Sequence, residues 1–486
     1  MPAFVLVWCT GYYALGGEVI AVMNGYGWDG FFYGSAAWGF DKLLAHPVLD
    51  PYLAQRVAPS GFIHYTMKAL GLTMNQTTVL QAFKTWNVIL LTASAFVWSL
   101  TARRLLLKPH AAWIGFCGLF ASFFAMKYSL YYPPLTDVTA FFLCVLAVWL
   151  YVIRQHWWIL AVALMGYFTF PTMLYIAALL FLFPSIEKQI PAPNQIEQIQ
   201  ILTRLGGTFV LVLLMIGGFV YFVFITHTQF PGVEPILQAT LYPSIFLVVA
   251  YSGLAAWFFL EGCSLQRAIQ EMSNLTFLVR SVAIAAVWGL CTWLRTSFLQ
   301  NPDPNILKTT PMTLSLFLGG SFSLAVAKPL LAVVSNAVYF GPIVVLCVMF
   351  YRSAARAAWQ IGIGFALVFI IAALMSAIMS ESRQFVNLLP VVVTALALAL
   401  NGRSVTLASV AGLAALGLMC SKVWMTLNVP DMDKWAFRGN LSTSPLQRYF
   451  MNYGPWMSME WYLWQGAAML VVAGILWFLF KPTRTL

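Results

Sequence analysis

"WWILAVALMGYFTFPTMLYIAALLFLFP", residues 157–184, can be read in two ways, and the choice sets the direction of every segment after it. As one helix it would carry Pro171 in its interior, where proline removes a backbone hydrogen bond and kinks the axis. As two, it forms short helices over 157–168 and 172–184, joined in a V by Thr169-Phe170-Pro171-Thr172. Charge arbitrates. With the hairpin the chain has about fourteen apolar segments of spanning type. One face then collects Arg103, Arg104, Lys108, Arg154, Lys188, Arg204, Arg267, Arg280, Arg352, Arg356, Arg403, Lys481 and Arg484 against Glu187, Glu197, Glu261 and Glu271, a net +9, and leaves +2 on the other. Basic short loops mark the cytoplasmic side. A single helix would invert every later loop and put Lys481 and Arg484 outside, so the hairpin is the expected form.

Working outward, the expected spans are 4–23, 79–101, 111–126, 135–153, 157–168, 172–184, 205–226, 243–261, 277–294, 336–351, 357–379, 384–401, 405–425 and 462–480. Hydrophobic residues make up 61% of the 486 and charged ones 8%, and mean hydropathy is +0.82. A soluble domain carries roughly 25% charge. The fold class expected is all-α: a polytopic transmembrane bundle of about 12–14 helices, one integral membrane domain over 1–486. The run 4–23 has no basic segment before it and no small-residue cleavage site, so it is expected to be a retained span. The long loops 24–78, 227–242, 295–335 and 426–461 all fall on the outward face. Stretches such as "FLGGSFSLAVAKPLLAVV" (317–334) are expected to lie along the interface or re-enter the membrane. Aromatic clusters at Trp28 to Tyr33, Tyr128 to Tyr132 and Trp456 to Trp464 read as an interfacial belt. The seven cysteines show no CxxC spacing and the five histidines no HxxxH pair, so neither disulfides nor a His/Cys metal site is implied. The net charge of +11 is spread over short loops and not gathered in a patch, which argues against nucleic acid. No inverted pair of broken helices marks a transporter.

Few residues are left to carry chemistry. In "GYGWDGFFYGSAAWGFDKLL" (25–44), Asp29 follows the first apolar run between Gly27 and Gly30. It is either a helix-starting acid after a glycine turn or a general base whose pKa is raised by a pocket that Trp28 and Phe31 keep partly dry. In "HPVLDPYLAQRVAPSGFIHY" (46–65), Asp50-Pro51 reads as a helix start, with Arg56 on that helix facing either an anionic substrate or a lipid headgroup. In "YSLYYPPLTDVTAFF" (128–142), Thr136-Asp137 reads as a helix cap that also sets a second acid on the outward face. In "SESRQFVNLLPVV" (380–392), Glu381 and Arg383 are either a solvated ion pair or a guanidinium for a phosphate, steadied by its neighbour. Glu18, inside the first apolar run, is a site candidate because a membrane-embedded acid is costly unless it faces the interior. The last loop, with Asp431, Asp433, Lys434, Arg438, Arg448 and Trp456, has the residue types that close over a sugar.

The order of these pieces resembles bacterial polytopic membrane glycosyltransferases of the GT-C type: an Asp in a large first outward loop, "DPY…QR" after it, "PPLTD" opening a later helix, a V-shaped helix pair, and "ESR" before a proline-containing span. The resemblance implies transfer of a sugar from a polyprenyl-phosphate donor to an acceptor on the outer face of the bacterial cytoplasmic membrane. On that pattern Asp29 matches the base, Asp137 the second acidic position, and Arg56 and Arg383 are candidates for the donor phosphate; Glu381, Glu18 and Trp28 are further candidate substrate contacts by their own positions and not by the pattern. The hairpin turn departs from the pattern, since relatives often carry a charge where Thr169-Phe170-Pro171-Thr172 has none. No cofactor is required, a divalent cation stays open, and the expected partners are the lipid-linked sugar and membrane lipids. Two other readings share the outward loops: a transporter or flippase of lipid-linked glycan, and an O-antigen polymerase-like or accessory membrane protein. Ionisable groups in mid-span would favour transport, and Glu18 is nearly alone there.

Overall fold

The structure is a computed structural model that describes residues 1–45, 51–185, 197–227, 238–263, 265–297, 313–428, 454 and 457–481. Among them the regular elements are helices, with no strand. Five helices are long and apolar enough to cross a membrane: Gln76–Arg104, Ile201–Ile225, Ala239–Gly262, Leu275–Thr296 and Met459–Phe480. The pairs Pro109–Phe120 with Phe124–Tyr131, bent by 56°, and Pro342–Met349 with Tyr351–Ile361, bent by 85°, make seven if each is one span. The remaining apolar helices, Asp137–Val152 and Ile363–Ile378 among them, are shorter than a span. Hydropathy finds the greasy stretches but not the backbone breaks. The segment expected over 336–351 breaks at Gly341, at φ +78°, and the next one starts only after Gly362, at φ +155°. The most hydrophobic stretches of Ile201–Ile225 and Leu275–Thr296 are only 11% buried. They expose Phe209, Leu214, Val282 and Trp293, a surface whose free energy calls for an apolar surrounding.

The deciding stretch is a hairpin. Trp158–Tyr167 and Thr172–Leu182 are separate helices, with Pro171 preceding the second helix, where its missing N–H costs nothing. They approach so closely that a Cβ on Gly166 would lie 2.7 Å from that of Met173. The hairpin turn meets the first loop and the 379–388 break: Ala58 N–H donates to Phe168 O at 2.9 Å, and Asn387 Nδ2 to Thr172 Oγ1 at 2.5 Å. Ile20 N–H donates to Tyr131 O at 2.8 Å, which brings 15–27 and 121–136 to the same end. At the other end Lys108 N–H donates to Asn401 Oδ1 at 2.6 Å, Arg403 Nη2 to Ser353 Oγ at 3.2 Å, and Arg352 Nε to Glu261 Oε2 at 2.7 Å. These bonds join the stretches around 108, 261, 352 and 401–403 to one another.

Several expectations are corrected. The first apolar run is helical only over Pro2–Ala14. Gly16, at φ +75°, ends it in a conformation that glycine adopts without strain, and Glu18 lies beyond the helix. The tyrosines expected in a belt are core: Tyr128, Tyr131 and Tyr132 are buried, and Tyr128 packs with Phe123 and Tyr339 at ring separations of 5.7 and 5.4 Å. Of the two forms expected around 317–334, only the one lying along the interface is overturned: Phe322 is edge-on to Phe219 at 5.0 Å, and residues 319–328 are buried. Its serines and glycines let it pack on neighbouring helices where an interfacial helix would need one polar face. Asp50, Asp431, Asp433, Lys434, Arg438, Arg448 and Trp456 lie outside the described residues.

Candidate functional site

Asp29 is placed by a close approach of backbone to ring. Gly27, at φ +63°, precedes the helix Trp28–Trp38 and puts Asp29 in its first turn. A Cβ on Gly27 would lie 2.4 Å from Tyr132 Cζ, and one on Gly30 2.7 Å from Tyr132 Cε2. The glycines of "GWDG" are there because the Tyr132 ring lies against them. The Gly30 N–H donates to Tyr132 Oη at 3.1 Å, satisfying one of the donors that a helix start leaves unpaired.

Facing Asp29 is the 3-10 turn Ser382–Phe385, in the break between the helices Ile363–Ile378 and Leu389–Asn401. Ser335 Oγ donates to Ser380 O at 2.9 Å and Asn336 Nδ2 to Met379 O at 3.2 Å, fixing that turn. Arg383 Nη2 donates to Asp29 Oδ2 at 2.6 Å across 354 residues of sequence, and Arg383 Nε donates to Glu381 Oε1 at 2.9 Å. The Arg383 side chain is 9% exposed and the Asp29 side chain 37%. Burial pushes the Asp29 carboxyl upward, but the charge and hydrogen bond of Arg383, with Arg56 behind them, hold it below the usual value. The raised pKa expected of Asp29 is thus corrected: the carboxylate is partly open and a guanidinium faces it.

Arg56 lies in the turn between Pro51–Ala54 and Ala58–Ala69, not on a helix. It is buried, with its guanidinium 4.7 Å from the Phe170 ring centroid. The uncharged hairpin turn therefore contributes an aromatic face that cradles a cation. Neighbouring Gln55 Nε2 donates to Tyr167 Oη at 3.2 Å.

Asp137 opens the helix Asp137–Val152. It is 2% exposed, and among the described residues no other residue donates a hydrogen bond to either carboxyl oxygen. The capping expectation is corrected: Thr136 sits at φ −78°, ψ −4° and makes no side-chain cap bond, whereas a capping residue adopts extended geometry. Arg383, Arg56 and Glu381 all act electrostatically on Asp137. Four stretches far apart in sequence thus share one electrostatic cluster. Trp28 is half-buried beside it in the same first turn as Asp29.

Glu18 belongs elsewhere. Lys127 Nζ donates to Glu18 Oε2 at 2.5 Å and to Met425 O at 2.6 Å, while the N–H groups of Leu427 and Asn428 donate to Glu18 Oε1, each at 2.9 Å. Asn428 Nδ2 bonds Val19 O at 2.8 Å, and Tyr131 Oη donates to Asn428 Oδ1 at 2.7 Å. Its costly charge is answered by a buried lysine and two amides, so this acid clasps three chain segments together.

An apolar groove of about 350 Å³ runs between the helices Ala58–Ala69 and Gln76–Arg104, lined by Phe62, Met67, Leu70, Leu72, Trp86 and Ile89 among others. Trp86 Nε1 donates to Thr139 Oγ1 at 3.0 Å, tying the groove to the helix that Asp137 begins. Among the described residues no three His, Cys, Asp or Glu side chains are grouped to hold a metal.

The residues that sequence reasoning missed are Tyr132 and Phe170. "YYPP" reads as a turn, and nothing in it tells that one ring supports the start of a helix a hundred residues earlier. Compared with protein-family models, curated proteins and solved structures, the chain matches none of them.

Proposed function

We propose that this protein is a membrane glycosyltransferase of the GT-C type, moving a sugar from a polyprenyl-phosphate-linked donor to an acceptor hydroxyl on the outer face of a bacterial cytoplasmic membrane. The observation that carries the reading is the convergence of Asp29, Asp137, Arg56 and Arg383, drawn from distant stretches, in one electrostatic cluster. Such a donor needs a slot for its isoprenoid tail, cations for its phosphate and a carboxylate for the acceptor proton. The apolar groove and the two guanidiniums have those properties.

In the proposed step the acceptor oxygen forms a bond to the anomeric carbon while the bond from that carbon to the phosphate oxygen breaks. The electron pair leaves with the polyprenyl phosphate, whose charge Arg56 and Arg383 balance, and the acceptor proton passes to Asp29. Glu381 keeps Arg383 in place. Asp137 is buried and, among the described residues, takes no hydrogen bond from another residue, a condition that favours a hydroxyl partner, and a sugar hydroxyl supplies one. Trp28 offers a face for the sugar ring.

The test is transfer of radiolabelled sugar from a polyprenyl phosphate by the purified protein in proteoliposomes. Asp29→Asn is expected to lose about 10²- to 10⁴-fold in rate, the usual worth of a general base, and Asp137→Asn to lose rate as well. Transfer retained in both variants overturns the site assignment. No transfer by the unaltered protein overturns the enzyme reading in favour of transport or an accessory role.

A further inference from the structure

Two of the contacts that hold Arg383 differ in kind. Its Nε bonds Glu381 Oε1 at 2.9 Å, two residues away on the same turn. Its Nη2 bonds Asp29 Oδ2 at 2.6 Å, on a helix from the other end of the chain. The first contact is local and survives any shift of the first-loop helices. The second depends on two separate elements staying in register. Asp29, 37% exposed, is more open than the 9% exposed guanidinium it pairs with, so it is the more accessible member of the pair. A carboxylate and a phosphate are competing ligands for the same guanidinium fork.

We propose that the Asp29–Arg383 contact is exchangeable: a phosphate monoester takes Arg383 Nη2 from Asp29, Glu381 keeps the guanidinium in place, and the released Asp29 carboxylate becomes the base. The proposal rests on the assignment of Arg383 to the donor phosphate made above, and it deepens that assignment by making donor binding the event that activates the base. A carboxylate tied to a guanidinium is a poor proton acceptor, and its release restores basicity. Donor binding must then precede removal of the acceptor proton. Arg56, buried and also acting on Asp29, supplies a second positive charge that favours the incoming anion.

The exchange is tested by binding, without turnover. The full chain in phosphatidylcholine nanodiscs is titrated with a polyprenyl monophosphate, with inorganic phosphate and with phosphatidylglycerol. Removing the competing carboxylate by Asp29→Asn is expected to tighten polyprenyl monophosphate binding roughly 5- to 100-fold, the usual range of coupling between two sites. Arg383→Gln is expected to weaken it and to abolish the gain from Asp29→Asn. Asp29→Ser serves in its place if Asp29→Asn fails to fold, judged by unfolding temperature. Tightening for inorganic phosphate as well assigns the contact to the phosphate group alone, and tightening confined to the lipid assigns it to the lipid-linked form. A gain for phosphatidylglycerol only, or equal or weaker binding by a folded Asp29 variant, overturns the exchange. If binding tightens but the unaltered protein transfers no sugar, the exchange stands and the transferase reading falls. If sugar is transferred and binding does not tighten, the exchange alone falls.

Discussion

Three acids with similar sequence credentials have different fates, and the partners of each decide which. Glu18 is saturated by Lys127 and two backbone amides, so it holds structure together. Asp29 is paired through one oxygen to a guanidinium and stays partly open. Asp137 is buried and, among the described residues, takes no hydrogen bond from another residue at either oxygen. The first of these has a direct consequence for stability. Lys127 is 3% exposed, and its removal would leave the Glu18 carboxylate with two amide donors but no counter-charge. Lys127→Met is expected to destabilise the protein by about 3–5 kcal/mol, and the double variant Glu18→Gln with Lys127→Met to recover a substantial part of that loss. Chemical unfolding in detergent measures both. A double variant no more stable than the single one would show that the pair does not act as a clasp.

Among the elements, the helix Trp28–Trp38 depends on glycines at positions where a methyl group would strike the Tyr132 ring. Gly30→Ala keeps a helical residue but puts its Cβ 2.7 Å from Tyr132 Cε2. The overpacking is expected to cost about 1–3 kcal/mol, seen as a lower midpoint of unfolding, and an unchanged midpoint would mean that the ring yields freely. Elements were legible from sequence where local chemistry is strong. Pro171 announced the hairpin because proline belongs at a helix start and not in its interior. The first apolar run was misread because hydropathy continues past Gly16, whereas the backbone does not continue as helix. For 317–334 the interfacial alternative fails for a related reason: small and apolar residues suit a packed helix as well as an interfacial one, and the neighbouring Phe219 decides.

At the scale of the whole molecule, composition pointed to helical character, and the described elements are helices. The types of residue in the candidate cluster were also legible: acids and arginines are scarce in so apolar a chain, and those in loops stand out. Their pairing was not legible. Nothing local in "SESRQF" or "GWDGFF" says that Arg383 faces Asp29, since the contact follows from the packing of helices between them. The same holds for the electrostatics: the sequence suggested a dry pocket that raises the Asp29 pKa, and the guanidinium that reverses the shift enters from 354 residues away. The central claim is that Asp29 and Arg383 serve one chemical step, and a double-variant cycle in the sugar-transfer assay tests it most directly. If they act as a unit, Asp29→Asn with Arg383→Gln will be about as slow as the slower single variant, because losses within one working unit do not multiply. Losses that multiply, each substitution costing the same in the presence and absence of the other, would contradict it.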